Sequence, residues 1–193
     1  VHLLEAQGAV IAATDHAAEQ VCRVDAGEVI FDRKLWRQEG GEVQRRLLIA
    51  ALRWISGAGY APRGSAVFRV MMAVAQGQDA TLAGCRIRVS DTRFRVAREP
   101  KAVAGLVCAP GNLWDGRWQV DGPFEPVHEV RALGAEGLRQ CKSWKDTGHS
   151  RDSLLVSPAV WYGEVLIAAP LAGFSAGFNA RIVAPFSHFV LSH

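Results

Sequence analysis

The sequence predicts an α+β fold, in which a helical linker domain precedes a small α+β domain with antiparallel hairpins. Two different periods in the pattern of apolar residues support this prediction. Apolar residues recur at helical spacing over residues 43–55, whereas residues 85–98 alternate apolar and polar side chains as a strand does. The chain has 193 residues, of which 49 % are hydrophobic and 21 % are charged. This composition is typical of a folded globular protein and excludes a disordered or collagen-like chain.

The first predicted domain spans residues 1–78 and consists mainly of helices. Residues 1–22 are rich in Ala, Leu and Glu and carry apolar side chains at near-helical intervals, which predicts an amphipathic helix. A short extended piece is predicted within residues 25–35, before the Gly40-Gly41 break. A second helix is predicted over residues 42–56, with an apolar side that packs and a polar side that carries arginines.

A third helix completes this domain, since Ser65 can cap a helix that continues through apolar residues to about Ala75. The loop before it contains the Gly and Pro residues that favour turns. The second predicted domain spans residues 79–193 and begins with a hairpin over residues 85–98. Its predicted buried face holds apolar residues such as Ile87 and Phe94, and the opposite face holds arginines.

The rest of the second domain alternates strand and helix signals. Residues 113–120 predict a strand interrupted at Asp115-Gly116, and residues 135–144 predict a helix. Residues 159–169 predict another hairpin that turns near Gly163.

Positive charge is concentrated in one stretch of the chain. Residues 1–44 carry a net charge of −4 and residues 102–193 a net charge of −1, whereas residues 45–101 carry eleven basic and three acidic residues, a net charge of +8. Ten of the eleven are arginine, whose planar guanidinium suits phosphate oxygens. This asymmetry predicts a polyanionic partner. The alternative is a solvated basic face that binds nothing.

Other motifs give weak signals. The four cysteines form no CxxC pair and the six histidines form no H-x-x-H or HExxH pair, so the spacing predicts neither a metal site nor a redox dithiol. Residues 173–177 fit G-x-S-x-G around Ser175, but no Asp or Glu follows that serine. A serine hydrolase is therefore a poor interpretation, and we expect Ser175 to be a turn residue.

Targeting signals are also weak. The apolar runs are too short for a membrane span. The chain begins with Val1 and shows no secretory signal, so we expect a piece of a longer cytoplasmic protein.

Two runs of sequence resemble the region that follows the catalytic domain in bacterial tRNA(Ile)-lysidine synthases. Residues 45–63 read RRLLIAALRWISGAGYAPR, with the R-x-L helix and Y-x-P-R turn of that family. Residues 79–103 read DATLAGCRIRVSDTRFRVAREPKAV, with its T-L-x-G-C strand pair and R-E ending. The likeness is strong over residues 43–103 and looser over the rest of the chain.

The resemblance implies an ATP-dependent ligase that adenylates carbon 2 of the wobble cytidine of a tRNA(Ile) and then attaches lysine. In that family a PP-loop motif, S-G-G-x-D-S, carries catalysis, and this sequence lacks the motif. We therefore expect no catalytic residue, cofactor or metal here, with ATP and Mg bound by an N-terminal catalytic domain. The expected partners are tRNA and that domain, with no membrane contact, and a homodimer is compatible with the sequence.

The resemblance and the charge pattern together predict that this chain positions tRNA. Phosphate contacts would fix the register of the RNA without reading its sequence. The alternative left open is a non-catalytic protein-interaction module with a basic face. Eight arginines are the candidate RNA contacts: Arg45, Arg46, Arg53, Arg63, Arg86, Arg88, Arg93 and Arg95.

Overall fold

A computed structural model of the chain describes residues 2–192 and, for most of them, the side chains. Helices and antiparallel strand pairs are both present, which confirms the predicted α+β class. The helices are α1 (His2–Val21), α2 (Arg33–Trp36), α3 (Gly41–Ser56), α4 (Gly64–Gln76), α5 (Pro100–Val103), α6 (Gly134–Gln140), α7 (Arg151–Leu155) and α8 (Phe186–Ser192).

The strands are short and belong to three sheets. They are β1 (Cys22–Asp25), β2 (Glu28–Asp32), β3 (Ala80–Leu82), β4 (Cys85–Val89), β5 (Arg93–Arg98), β6 (Val107–Cys108), β7 (Trp118–Asp121), β8 (Glu129–Ala132), β9 (Pro158–Tyr162), β10 (Val165–Ala168) and β11 (Asn179–Ile182). Two short 3₁₀ helices cover Trp144–Thr147 and Pro170–Ala172.

The chain forms two compact units. The first comprises the residues up to Ala97 together with the segment from Ala184 onward, and the second comprises Arg98–Val183. The chain thus completes its first unit only after it has built the second. Within residues 2–192, no helix is both long and apolar enough to cross a bilayer.

The first unit is a five-stranded sheet in the order β1-β2-β5-β4-β3, with helices packed against it. Antiparallel pairing of β2 with β5 places Phe31 opposite Phe94, and the two rings stack with centroids 4.5 Å apart. Trp36 meets the Phe94 ring edge to face at 4.9 Å. This aromatic cluster is buried, so it supplies apolar area to the core and aligns the two strands.

Helix α3 confirms the helix predicted over residues 42–56. Leu47, Ala51 and Ile55 recur every four residues on its buried side and are fully shielded from solvent. The helix ends because Gly57 adopts a left-handed conformation (φ 70°) and donates its N–H to the Arg53 carbonyl at 2.8 Å. Helices α1, α3 and α8 pack together, and the Trp54 indole donates to the Ala184 carbonyl at 2.7 Å.

Arg33 is buried and binds three backbone carbonyls of the first unit. Its Nη1 donates to Ser90 O at 2.7 Å, in the turn between β4 and β5. Its Nη2 donates to Val74 O at 2.9 Å and Ala75 O at 3.3 Å, in the last turn of α4. A cation at this end of a helix is favoured by the helix dipole. One side chain therefore joins α2, the β4–β5 turn and the end of α4.

The second unit contains a sheet in the order β10-β9-β8-β6 and a separate β11-β7 pair. One core includes Trp114 and Val160, and another includes Leu138 and Trp161 under α6 and α7. The hairpin predicted over residues 159–169 is confirmed as β9 and β10. Gly137 permits the close packing of α6, because a Cβ there would lie 2.8 Å from the Trp161 ring.

Several element boundaries differ from the prediction. Residues 25–35 form not one extended piece but the end of a β1–β2 hairpin followed by α2, since β2 finds its partner in β5, more than sixty residues away. The helix predicted over residues 135–144 ends at Gln140. The strand predicted over residues 113–120 is interrupted at Asp115-Gly116, as expected, but only Trp118–Asp121 forms a regular strand, β7. The predicted hairpin over residues 85–98 forms, within the sheet of the first unit.

Replacing Arg33 by Met keeps the apolar stem of the side chain and removes the charged donor. We expect the free energy of unfolding to fall by about 3 kcal/mol, because a hydrogen bond from a charged group contributes roughly 1.5–3 kcal/mol. Urea denaturation followed by circular dichroism measures this change. Arg37→Met is the matched control, because Arg37 is exposed at the end of the same helix, and it should change stability by less than about 0.5 kcal/mol. Equal losses in both variants would contradict the role of Arg33.

Candidate nucleic-acid interface

All eight candidate arginines lie in the first unit, in separate groups. Arg45, Arg46 and Arg53 lie on α3, and Arg63 lies at the N-terminal end of α4. Arg86, Arg88 and Arg95 lie on the strand faces opposite the buried Ile87 and Phe94, and Arg93 begins β5 at the turn. The predicted basic set is therefore brought together in two groups, three arginines along α3 and four on the β4–β5 hairpin, with Arg63 at the start of α4.

The three arginines of α3 line one cleft, which we call the arginine cleft. It has a volume of ≈ 470 Å³ and lies between α1, α3, the loop after α3 and α8. Arg46, Ile49, Ala50 and Arg53 follow one another at the i, i+3, i+4 and i+7 spacing of a single helix face. The cleft also contains Ile11, Thr14 and Asp15 of α1, Ala61 of the loop and Val190 of α8. It thus combines an apolar floor with cationic walls.

Glu42 holds two of these arginines. Its carboxylate accepts hydrogen bonds from Arg45 Nε and Nη2, both at 2.7 Å, and from Arg46 Nε at 2.9 Å. The hydrogen bond from Arg45 is the main cause that lowers the pKa of Glu42 to about 2, with Arg46 adding to it. All three side chains are between 32 % and 46 % exposed, so solvent weakens these pairs. A bound anion can therefore exchange with Glu42.

Arg53 has a different environment. Its Nη2 donates to the Gly59 carbonyl at 2.9 Å and its Nε to the Ala58 carbonyl at 3.4 Å. Its guanidinium also lies 5.7 Å from the centroid of the Phe189 ring. No carboxylate is bonded to Arg53 among the interactions of the described residues, so its charge is oriented but not neutralised by an acid.

Two carboxylates that the sequence did not single out bind the arginines of the sheet. Glu28 is buried and forms an ion pair with Arg95. Asp79 accepts from Arg88 Nη1 at 2.5 Å and from the Val89 N–H at 2.8 Å. Burial of Asp79 opposes its ionisation, but these hydrogen bonds outweigh burial and lower its pKa. Like charges on neighbouring strands repel each other, and these two ion pairs reduce that repulsion among the hairpin arginines.

Arg63 and Arg93 differ from the other candidates. Both are exposed, and within residues 8–187 neither guanidinium has a hydrogen-bond or ion-pair partner. They are available to a ligand without displacing an acid. Arg86 is half-buried.

Other candidate chemistry is limited. Ser175 lies in an exposed turn and is followed by β11, whereas a nucleophile elbow would lead into a helix. In the described part of the chain, no three His, Cys, Asp or Glu residues are placed to hold a metal ion. None of the four cysteines is in a disulfide, and burial raises the pKa of Cys22 to about 12. The arginine cleft is therefore the candidate site with the most specific geometry.

Comparison with known proteins supports the resemblance noted in the sequence. No family model matches the chain. A tRNA(Ile)-lysidine synthase of Ruegeria pomeroyi is 41 % identical to it over 180 residues, or 92 % of this chain. The chain spans 43 % of the length of that relative. The resemblance to tRNA(Ile)-lysidine synthases is therefore confirmed over nearly all of these 193 residues.

Replacing Glu42 by Gln should increase the affinity of the first unit for polyanions, since it frees Arg45 and Arg46 from a carboxylate. We expect retention on immobilised heparin to extend to higher salt, with a gain in affinity of about two- to fivefold, because exposed ion pairs are worth roughly 0.2–1 kcal/mol each. The matched control is Glu136→Gln, which removes the same charge from an exposed pair with Arg139 in the second unit. Weaker retention of the Glu42 variant would contradict the competition between Glu42 and a bound anion.

The pH dependence of Glu42 follows from the same geometry. Its folded pKa, about 2, lies below the ordinary value of 4.5, so the stabilisation it provides is complete above pH 4.5 and is lost as the pH falls through about 2. The ion pairs of the wild type should therefore stay intact between pH 7 and pH 4.5. A carboxyl titration by NMR checks this, and a midpoint near 4.5 would contradict it.

Proposed function

We propose that this chain is the tRNA-holding part of a tRNA(Ile)-lysidine synthase, C-terminal to the catalytic domain. The observation that carries the proposal is the gathering of Arg45, Arg46 and Arg53 in one cleft, within a region that resembles this family. Arginine forks suit phosphate oxygens, and phosphate contacts are sequence-independent. The cleft is suited to holding an RNA backbone in a fixed register.

The remaining candidate arginines extend the same function. Arg63 and Arg93 are exposed without acidic partners, so they can reach phosphates directly. Arg88 is about half exposed and can exchange Asp79 for a phosphate. Arg95 forms an ion pair with the buried Glu28, so we expect it to stabilise the sheet rather than to contact RNA. The proposed contacts are therefore of two kinds. Arg63 and Arg93 can bind phosphates at once, whereas arginines such as Arg88 must first exchange an acidic partner for a phosphate.

Holding the tRNA would contribute to the reaction without chemistry in this chain. The proposed reaction attaches lysine to the wobble cytidine of a tRNA(Ile) at the expense of ATP. We place ATP and Mg in a separate catalytic domain of the same enzyme, and we expect these 193 residues alone to be inactive. We propose that the enzyme acts in the cytoplasm. Fixing a macromolecular substrate reduces the entropy that the reacting groups must lose, which lowers the barrier when the geometry is correct.

Salt-dependent filter binding of tRNA tests the proposal. For each phosphate contact that is lost, the slope of log affinity against log salt should become shallower by about 0.7–0.9. We therefore expect Arg45→Gln with Arg46→Gln to remove about two contacts. Arg86→Gln with Arg88→Gln measures the contribution of the sheet in the same way. A control pair, Arg139→Gln with Arg151→Gln, removes the same charge from the second unit. Equal slopes for the wild type and both test pairs would contradict the proposed arginine contacts.

A second candidate function is a protein-interaction module, and one feature of α4 favours it. Phe68 and Met72 lie four residues apart on this helix and are 62 % and 43 % exposed. Exposed apolar side chains on one helix face are typical of a protein interface. The partner would be the catalytic domain of the same enzyme, in agreement with the 43 % coverage of the relative.

Replacing Phe68 and Met72 together by Ser separates the two candidates. If α4 contacts a protein, the double variant should bind tRNA with unchanged salt dependence but associate at least tenfold more weakly with the catalytic domain supplied as a separate polypeptide. Pull-down and filter binding on the same preparation provide both readouts. A loss of tRNA affinity with unchanged protein association would instead place α4 in the RNA interface.

A further inference from the structure

We propose that the arginine cleft binds one unpaired guanine nucleotide of an RNA, with Asp15 recognising the base and the arginines holding the adjacent phosphates. This inference rests on the proposed RNA-binding function and adds base specificity to it. Its starting point is a carboxylate in an otherwise basic and apolar cleft.

Asp15 reaches the cleft from α1. Ile11, Thr14 and Asp15 are spaced i, i+3 and i+4, so they share one face of that helix, and all three line the cleft. The Oδ1 atom of Asp15 is buried and accepts no hydrogen bond. Within the described side chains, none of the three arginines of the cleft lies close enough to Asp15 to form an ion pair. An acceptor left without a donor is costly, and a ligand with N–H groups would satisfy it once the Asp15 side chain turns this covered oxygen into the cleft.

The chemistry of a carboxylate selects guanine among the four RNA bases. An ionised Asp offers two acceptors and no donor. The Watson–Crick edge of guanine presents two adjacent donors, N1–H and the N2 amino group, which match the two oxygens. Cytosine and adenine each place a ring acceptor beside their amino group, and that acceptor would face the carboxylate unfavourably. Uracil offers one donor flanked by acceptors.

The guanine must be unpaired. In a duplex its N1–H and N2 amino groups are bound to cytosine, and only a base outside the helix exposes that edge. The apolar floor suits the face of such a base. Ile11 is 45 % exposed, and Ile49 and Ala50 lie across the cleft from it on α3. The volume of ≈ 470 Å³ falls in the usual range for a small-molecule site, roughly 300–1,000 Å³.

The phosphates of the same strand would meet the arginines. Arg46 and Arg53 lie seven residues apart on α3, so the helix separates their Cα atoms by about 10.5 Å along its axis. A nucleotide placed between them can direct its flanking phosphates toward both. An acidic peptide fits less well, since it would bring further carboxylates next to the unpaired Asp15.

Fluorescence anisotropy with five-residue RNAs of one length and charge tests this assignment. The probes are labelled UUGUU, UUAUU, UUCUU and UUUUU, titrated with the 193-residue chain. We expect UUGUU to bind at least fivefold more tightly than the other three, since one bidentate base contact discriminates by at least about that factor. Equal affinities for all four RNAs would overturn the proposal.

Asp15→Asn provides the sharper test. The amide replaces one acceptor by a donor, so it should abolish the preference for UUGUU and favour UUCUU or UUAUU, whose bases pair an amino group with a ring acceptor. Glu19→Gln is the matched control, because it removes the same charge from the exposed side of the same helix, and it should keep the guanine preference. Retention of that preference in the Asp15 variant would also overturn the proposal.

Two further measurements are needed. One separates a loss of binding from a loss of folding, and the other separates this inference from the proposed function. Ala61→Trp, at an exposed loop position of the cleft, should weaken binding of every RNA while leaving the unfolding temperature unchanged. If tRNA is bound with a steep salt dependence but no pentamer is preferred, the base-specific inference fails and the proposed function stands. If neither tRNA nor the pentamers bind, the proposed function itself fails.

Discussion

The hydrogen bonds of Arg33 are the constraint on which the geometry of the first unit depends. Its guanidinium connects α2 to the β4–β5 turn and to the end of α4, three segments that are distant in sequence. The aromatic stack of Phe31 and Phe94 lies in the adjacent strands and aligns them. The sheet that carries the hairpin arginines therefore cannot shift relative to α4 without breaking buried, charged hydrogen bonds.

The balance between acids and arginines determines which cations can serve a ligand. Glu28 is buried with Arg95, and a buried pair that loses one partner leaves an uncompensated charge. That pair is structural. Glu42 and Asp79 are about half exposed, so the free protein gains little from their ion pairs and a polyanion can replace them. These two carboxylates relieve repulsion among the arginines without blocking them permanently.

Periodicity in the sequence predicted the local elements well, namely α3, the hairpin over residues 85–98 and the β9–β10 hairpin. It could not predict the pairing of β2 with β5, because that contact links distant segments and leaves no local signal. The ion pairs of Glu42 were within reach of the sequence, since Glu followed by Arg at i+3 and i+4 is a recognised helix pattern. The position of Asp15 in the cleft could not be predicted from the sequence. A single acid on an amphipathic helix gives no sequence pattern that shows which other helix it faces.

The cleft is assembled from both ends of the chain. Helix α1 begins the first unit, and α8 returns to it after the second unit is complete, where Trp54 bonds to the Ala184 carbonyl. A ligand that binds only the assembled cleft therefore stabilises the closure of the first unit by mass action. Conversely, any change that loosens α8 weakens the cleft without touching an arginine. Binding by this surface and completion of the fold are consequently coupled, and a loss of affinity is evidence for a direct contact only when the stability of the first unit is unchanged.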